Sequence, residues 1–210
     1  IIDGYTSPQD FQIDQEYLKK LKENNFIIQD FVTFAIDLEK NDIDGIWSNF
    51  KKNARNDVTK AEREGIKIHE ISTREEMEEY KTLVEKWALT KGIDSDSTNK
   101  SFERDWNYIK NGIQKIFYAE QNEKILAGLR IGCFNSIAYT HQVINSYSSS
   151  GNVAGPLLTW NAIKWAKNSN FKVYDCSGGE REPNDRKKQK KYSEQWDTLF
   201  AYKKKWGGEE

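Results

Sequence analysis

Basic side chains dominate one polar stretch of the sequence, between residues 181 and 191. The stretch holds six Lys and Arg residues against two acidic ones, and Arg186, Lys187 and Lys188 form its centre. Clustered cations of this kind bind phosphate groups in a salt-dependent way. A solvated surface loop can have the same composition. The stretch therefore predicts either a clamp for a phosphate-bearing molecule or an ordinary polar loop.

Two titratable residues in strand-like runs could handle a proton. His141 lies within Tyr139-Thr140-His141-Gln142, and the pKa range of imidazole suits removal of a proton from an amine. Asp175 ends the run 171–175 before two glycines, where a carboxylate can orient an amine or cap a turn. We take His141 and Asp175 as candidate catalytic residues, and each also has a purely structural interpretation.

A predicted helix carries further cations. Arg55 and Lys60 are five residues apart and Lys60 and Arg63 three, so at best two of them share a helix face. Arg55 and Lys60 are candidates for holding the phosphates of a nucleotide sugar or a tRNA. The alternative interpretation is a solvated helix surface.

The overall composition excludes several classes of protein. The 32 Lys and Arg residues nearly balance the 33 Asp and Glu residues, so no whole-chain field attracts nucleic acid or an anionic membrane. The two cysteines lie in apolar runs without metal-ligand spacing, which predicts no metal site and favours a reducing, cytoplasmic compartment. No window approaches the roughly 18 apolar residues that a membrane span needs.

The elements that must position these residues follow from the hydrophobic periodicity. Alternating runs at 116–119, 125–134 and 137–144 are separated by turn residues and predict an antiparallel meander. Pro156 is expected to open a helix that reaches Ala166, followed by a buried strand at 171–175. A helical crossover of this kind permits a parallel strand, so we expect 171–175 to lie parallel to the start of 137–144.

Four motifs follow one another between about residues 33 and 208. The motifs are Thr33-Phe34-Ala35-Ile36-Asp37-Leu38 with Arg55 to Gly65; Ala127-Gly128; Gly155 to Ala166 with Tyr174-Asp175-Cys176-Ser177-Gly178; and Tyr202-Lys203-Lys204-Lys205-Trp206-Gly207. In their order and spacing they resemble the FemABX family of peptidoglycan bridge-forming acyltransferases.

The resemblance implies a GNAT-like α/β fold, with a mixed, mostly antiparallel sheet whose splayed parallel strands admit an acyl donor. It implies an N-acyltransferase that moves an aminoacyl group from aminoacyl-tRNA, or another acyl group, to an amine on a nucleotide-linked or lipid-linked envelope precursor, with no tightly bound cofactor. Two alternatives stay open. One is a coenzyme A-dependent N-acetyltransferase of an amino sugar or small amine, with acyl-CoA as donor, and the other is a non-catalytic binding module.

The resemblance also implies further site residues. Lys91 occupies a place where the family often has a basic residue, and Lys203 and Trp206 match the motif that lines the cleft. Coenzyme A users of this fold bind pyrophosphate on a Gly-rich loop before a helix. Gly151, Asn152 and Gly155 stand at that place here, without its basic residue. We expect the donor to enter between residues 147–155, the end of the 171–175 strand and the 203–206 helix.

The resemblance implies two GNAT-like domains in full-length bridge enzymes, whereas this chain has room for one. We therefore expect residues 1–32 to be a lead segment that can be the tail of a missing first domain. Residues 33–210 are expected to form a GNAT-like domain that is cut short at its C-terminal end. An enzyme of this kind is expected in the cytoplasm, with a peripheral position at the inner membrane face as an alternative.

Overall fold

A computed structural model describes residues 15–26, 31–92, 95–146, 151–180 and 199–209 of the chain. In these ranges the helices are α1 (Gln15–Glu23), α2 (Ile43–Asn49), α3 (Lys52–Arg63), α4 (Arg74–Thr90), α5 (Ser95–Lys110) and α6 (Gly151–Asn168). The strands are β1 (Phe31–Val32), β2 (Ala35–Asp37), β3 (Lys67–Glu70), β4 (Gln114–Gln121), β5 (Lys124–Phe134), β6 (Ile137–Asn145), β7 (Val173–Asp175) and β8 (Gly179–Glu180). Residues 199–204 are also helical.

The main sheet is mixed and mostly antiparallel, in the order β2-β7-β6-β5-β4-β3. The meander β4-β5-β6 is antiparallel throughout, and β6 and β7 form a parallel pair. A separate small sheet pairs β1 with β8. The predicted GNAT-like fold class is confirmed, as are the meander and the parallel placement of the 171–175 strand.

Local sequence explains where several of these elements begin. Thr73 caps α4 through the Glu76 amide, and the Glu76 carboxylate accepts hydrogen bonds from the Thr73 amide and the Ser72 amide. This capping box satisfies backbone donors that would otherwise lack partners. The β4-β5 turn holds Asn122 and Glu123 at positive φ, and the β5-β6 turn holds Asn135 at positive φ. Tight hairpin turns require such conformations.

Helices cover both faces of the sheet. On one face α6 packs against β4, β5 and β6 and against α3, and on the other α4 and α5 pack together over β4 and β5. Two hydrophobic clusters of buried side chains lie beneath these pairs of helices. The result is a three-layer arrangement in which both sides of β5 and much of β6 are buried.

Two element boundaries differ from expectation. Helix α6 begins at Gly151, so Pro156 lies inside it rather than opening it; its fixed φ suits a helix, and the hydrogen bond it cannot make lies close to the start. The apolar run 31–36 favours a single strand but is divided between β1 and β2. The sequence from Asp42 towards Gly65 favours a helix that can break after Phe50, and the structure has two helices there, α2 and α3. Phe50, in extended conformation, separates them.

None of the helices in the described residues is long and apolar enough to cross a membrane.

Candidate functional site

The sheet opens where β6 and β7 separate. Their parallel pairing covers Val173 to Asp175 and ends with Asp175 opposite Tyr139. Strand β6 continues for six residues beyond Tyr139 to Asn145, and among the described strands it pairs there with β5. Six residues of strand span about 20 Å. We call the side of residues 140–145 beyond the end of β7 the β6-β7 gap, and it is the place where the resemblance predicts that the strands splay.

Side chains satisfy backbone groups at the base of the gap. The Ser177 hydroxyl donates to the Thr140 carbonyl, and the Asp175 carboxylate accepts hydrogen bonds from the Thr33 hydroxyl and, at 2.6 Å, from the Ser177 amide. Ser177 has a positive φ of 65°, which ends the extended backbone of β7. Buried polar groups need such partners. Asp175 therefore holds the loop after β7 in place at the entrance of the gap.

Lys203 is a buried ammonium beside this loop. Its Nζ donates to the Gly178 carbonyl, and its side chain is among the buried charged residues of the protein. Burial lowers its pKa below the ordinary lysine value, while nearby Cys176 and Asp175 act in the opposite direction. A partly desolvated cation with a shifted pKa is a candidate functional group.

The chain that follows Lys203 is fixed by contacts with α3, α2 and β2. Lys205 donates to Asp57 at 3.0 Å, and Glu209 exchanges backbone hydrogen bonds of 2.8 and 2.9 Å with Ala35 at the edge of β2. Gly207 has φ 71° and lies against the backbone of Asn49, where a Cβ atom would come within 2.5 Å of its carbonyl oxygen. Only glycine fits there, and this explains why the fourth motif has glycine at position 207.

The start of α6 lies at the far end of the gap. The backbone of Gly155 packs against Asn145, the last residue of β6, and a Cβ atom at Gly155 would lie 2.9 Å from the Asn145 Oδ1. Asn152 is exposed in the first turn, which begins at Gly151. Amides of a first helical turn point outward without intrahelical partners and favour anions. The donor-binding role assigned to Gly151, Asn152 and Gly155 stays a prediction.

His141 is the extra residue of a β-bulge. Arg130 pairs with Gln142 and Ile131 with Thr140, so His141 has no partner residue of its own on β5. A bulge re-aims the side chain it carries. His141 is exposed two residues beyond the last β6-β7 pair, and partial desolvation, with Arg130 as the next cause, lowers its pKa. It therefore stays neutral at neutral pH.

The remaining predicted residues occupy other places. Arg55 donates to the carbonyls of Ser48, at 2.9 Å, and Phe50 and thereby joins α2 to α3. Trp206 is buried with its ring centroid 5.1 Å from that of Phe50. The exposed Lys60 lies 3.8 Å from Glu64, and Lys91 is the exposed C-cap residue of α4. The binding roles assigned to these four residues stay predictions.

The structure thus places Lys203 and Asp175 at the end of β7 and His141 on β6 two residues beyond the last β6-β7 pair. Gly155, with Asn152 one turn before it, lies against Asn145 at the end of β6. Arg186, Lys187 and Lys188 lie outside the described residues, as do residues 147–150 of the expected donor entrance. In the part of the chain that is described, no cluster of three or more His, Cys, Asp or Glu side chains could hold a metal ion. The expectation of no metal site rests on the sequence.

Two residues of the gap were not among the candidates. Thr33 and Ser177 both stand in the motifs that carry the resemblance, but hydroxyl groups have no charge or spacing that predicts a role. Their partners, Asp175 and the Thr140 carbonyl, lie 142 and 37 residues away in sequence. Only the tertiary structure reveals these contacts.

Comparison with known proteins supports the resemblance from two directions. The model of the FemAB family matches residues 20–100, the part of the chain that includes the first motif. Among solved structures, FemX superimposes with a TM-score of 0.69 at 16% identity, covering 95% of this chain and 67% of the FemX chain. The resemblance to the FemABX family is confirmed. No curated protein matches the sequence.

Two lysylphosphatidylglycerol synthetases have the same fold. The C-terminal domain of a putative synthetase from Agrobacterium fabrum gives a TM-score of 0.59 at 11% identity, covering 84% of this chain and 56% of its own. The L-PGS of Bacillus licheniformis gives 0.53 at 15% identity, covering 83% of this chain and 53% of its own. This chain thus spans about two thirds of FemX and little more than half of each synthetase chain.

Proposed function

We propose that this chain, which resembles the FemABX family in sequence and FemX in fold, is an N-acyltransferase that moves an aminoacyl group to an amine. The observation that carries the proposal is the buried ammonium of Lys203 beside the β6-β7 gap. A gap between parallel strands offers unpaired main-chain groups to an ester carbonyl. The cation next to it is suited to stabilise negative charge on the carbonyl oxygen.

The reaction needs few groups from the protein. The neutral amine of the acceptor attacks the ester carbon of the donor, and the carbonyl oxygen becomes negative in the tetrahedral intermediate. Lys203 stabilises that oxygen by its positive charge, which acts strongly where water is excluded. As the intermediate collapses, the C–O ester bond breaks, the amide C–N bond remains, and the leaving hydroxyl group takes up a proton.

His141 supplies the base in this scheme. The attacking nitrogen must lose a proton, and a neutral imidazole accepts it and can return it to the leaving oxygen. Its lowered pKa keeps the imidazole neutral at the pH of the cell. Asp175 acts by holding the 176–178 loop through Thr33 and Ser177, and thereby positions the Gly178 carbonyl that accepts from Lys203.

The donor is the finer part of the proposal. The structural neighbours are named FemX and lysylphosphatidylglycerol synthetase. The word lysyl in the second name denotes an aminoacyl group, and this favours aminoacyl-tRNA over acyl-CoA as the donor. The start of α6 at Gly151 and Asn152 would meet the terminal phosphates of a tRNA, and the basic residues Arg186, Lys187 and Lys188 would meet its backbone. The acceptor would be an amine on a nucleotide-linked or lipid-linked envelope precursor.

The test compares donors and lysine variants. The protein is incubated with a nucleotide-linked peptidoglycan precursor and either a mixture of charged tRNAs or acetyl coenzyme A, and amide formation is followed by mass spectrometry. We expect product from charged tRNA. Lys203→Met should lower the rate by about 10²- to 10³-fold, as loss of an oxyanion-stabilising donor does. The neighbouring Lys204, which is exposed, provides the matched control Lys204→Met, which should keep full activity.

Other outcomes would redirect the proposal. Product from acetyl coenzyme A alone would make the protein an N-acetyltransferase. Absence of product from both donors, with both bound, would favour a binding module. Equal activity of the Lys203 and Lys204 variants would remove Lys203 from the mechanism.

A further inference from the structure

An ion pair is buried between α5 and the middle of the sheet. Arg130 of β5 and Asp105 of α5 are joined at 2.7 Å, and both side chains are more than nine-tenths buried. Arg104 reaches the other carboxylate oxygen of Asp105 at 3.4 Å from the surface. Strand β5 is otherwise apolar from Ile125 to Phe134, so a charge at this position is an exception that needs a reason.

Stability alone does not supply that reason. Desolvation of two charges costs about as much as their attraction returns, and apolar residues of similar size often serve as well or better. The arrangement is also incomplete, because the Nε of Arg130 is buried and has no hydrogen-bond partner among the described residues. A pair that contributes little net stability is more useful for fixing geometry.

The geometry that it fixes is the β-bulge of β6. A second nitrogen of Arg130 donates to the Gln142 Oε1 at 2.7 Å, and Gln142 directly follows His141. Arg130 and Gln142 are also the last regular pair before the register shifts. Asp105 thus holds Arg130, and Arg130 holds the residue next to the bulge. Three elements, α5, β5 and β6, meet in this chain of contacts.

We propose that the buried Arg130–Asp105 pair is a positioning device, which through Gln142 fixes the β-bulge and sets the place of the His141 imidazole at the β6-β7 gap. The inference rests on the proposed function in so far as His141 serves the reaction. Arg130, Asp105 and Gln142 are positioning residues, since each acts through His141.

The charges of Arg130 and Asp105 also affect the pKa of His141. Partial desolvation is the main cause that lowers the pKa of His141. Repulsion by Arg130 of β5 and by Arg104 of α5 lowers it further, whereas Asp105 of α5 acts in the opposite direction. The pKa of His141 is lowered as the result. Removing one member of the pair should therefore move this pKa in a direction that depends on the sign of the charge removed.

The experiment is a histidine titration by NMR on the whole chain. The sequence has only two histidines, so His69 on β3 serves as an internal reference. We expect Asp105→Asn, which keeps an acceptor for Arg130, to lower the pKa of His141 further. Arg130→Met should raise it above its value in the parent protein. The chemical shifts of His69 should be the same in both variants as in the parent protein, which shows that the rest of the sheet is intact.

A third variant separates geometry from charge. Gln142→Met cuts the link to the bulge and leaves the ion pair in place, so it should shift the His141 resonances and lower kcat by about 10- to 100-fold with KM unchanged. Gln121→Met is the matched control, because Gln121 also makes one hydrogen bond, to the Glu64 carbonyl at 2.7 Å, away from the gap.

The inference would be overturned if His141 titrated as in the parent protein in folded Asp105→Asn and its resonances were unmoved in Gln142→Met. Should Arg130→Met fail to fold, Asp105→Asn and Gln142→Met still decide the matter. Because the titration needs no substrate, a failure of the acyl-transfer assay would count against the proposed function and leave this result standing.

Discussion

The two faces of the sheet are buried in different ways. Under α3 and α6 the described core is apolar and rich in aromatic rings, with Phe50 packed edge-on against both Trp160 and Trp206. Under α4 and α5 the core is smaller and includes the Arg130–Asp105 pair among its apolar side chains. The face under α3 and α6 is stabilised by apolar packing. On the face under α4 and α5, an ion pair that holds the β-bulge of β6 takes the place of apolar contacts.

The proposed site lies between the two helical layers, in the plane of the sheet. Between the two layers β6 separates from β7, and the groups proposed for catalysis come from both directions: Lys203 from the C-terminal segment and His141 from the bulge. The Ser177 hydroxyl ties the loop after β7 to the Thr140 carbonyl of β6, and Arg130 holds Gln142 next to the bulge.

We call the face of the sheet under α4 and α5, which holds the ion pair, the polar face. The largest effect on stability is expected from removing the charge of Arg130 there. Arg130→Met leaves the Asp105 carboxylate buried without its main partner, and such changes cost about 3–5 kcal/mol of unfolding free energy. The double variant Arg130→Met, Asp105→Leu should recover most of that loss, since no charge remains buried. Urea unfolding of the two single variants and the double variant checks this. Additive losses would contradict a coupled pair.

On the face under α3 and α6, which we call the apolar face, Leu158→Ala should lower the free energy of unfolding by about 2–5 kcal/mol. Leu158 of α6 is fully buried, so the substitution leaves a cavity. Leu89→Ala is the matched control, since that side chain is 74% exposed on α4. Unfolding by urea measures both. Activity per folded molecule should not change in either variant. A loss of activity in folded Leu158→Ala would show that the apolar face also shapes the site.

Sequence predicted more of the apolar architecture than of the polar site. The meander and the parallel strand follow from periodicity and turn residues, which act locally. The start of α6 differed because the packing of Val153 and Ala154 against the core extends the helix before Pro156. The bulge at His141 and the partner of Arg130 are tertiary facts, although a lone arginine in an apolar strand was a signal available in the sequence.

A third expectation uses pH to distinguish the two groups at the gap. Burial lowers the pKa of Lys203, so the ammonium is lost and activity falls as the pH rises through a value below 10.5, the ordinary lysine value. The pKa of His141 is lowered too, so activity falls at acid pH only below the ordinary histidine value of 6.5. The proposed mechanism therefore predicts a bell-shaped pH–rate profile.

Lys203→Arg separates the two limbs. Guanidinium stays charged throughout the accessible pH range, so the alkaline limb should disappear while the acid limb remains, at a reduced maximal rate. Initial rates of acyl transfer between pH 5 and 11 provide the measurement. An alkaline limb that persists in Lys203→Arg would assign it to another group, such as the amine of the acceptor.

The smallest effect concerns Tyr80, at the centre of the polar face. Its ring fills the space above Gly128, and its hydroxyl is buried without a hydrogen-bond partner among the described residues. Desolvation raises its pKa to about 12. A buried hydroxyl without a partner costs about 1–3 kcal/mol, so Tyr80→Phe, which keeps the ring, should leave the protein as stable as before or more stable by about 1 kcal/mol. Phe102→Tyr, on the neighbouring helix, adds a hydroxyl to the same cluster and should do the reverse. A clear loss of stability in Tyr80→Phe would mean that the hydroxyl belongs to the polar network of Arg130 and Asp105, and that the network extends farther across this face than the ion pair.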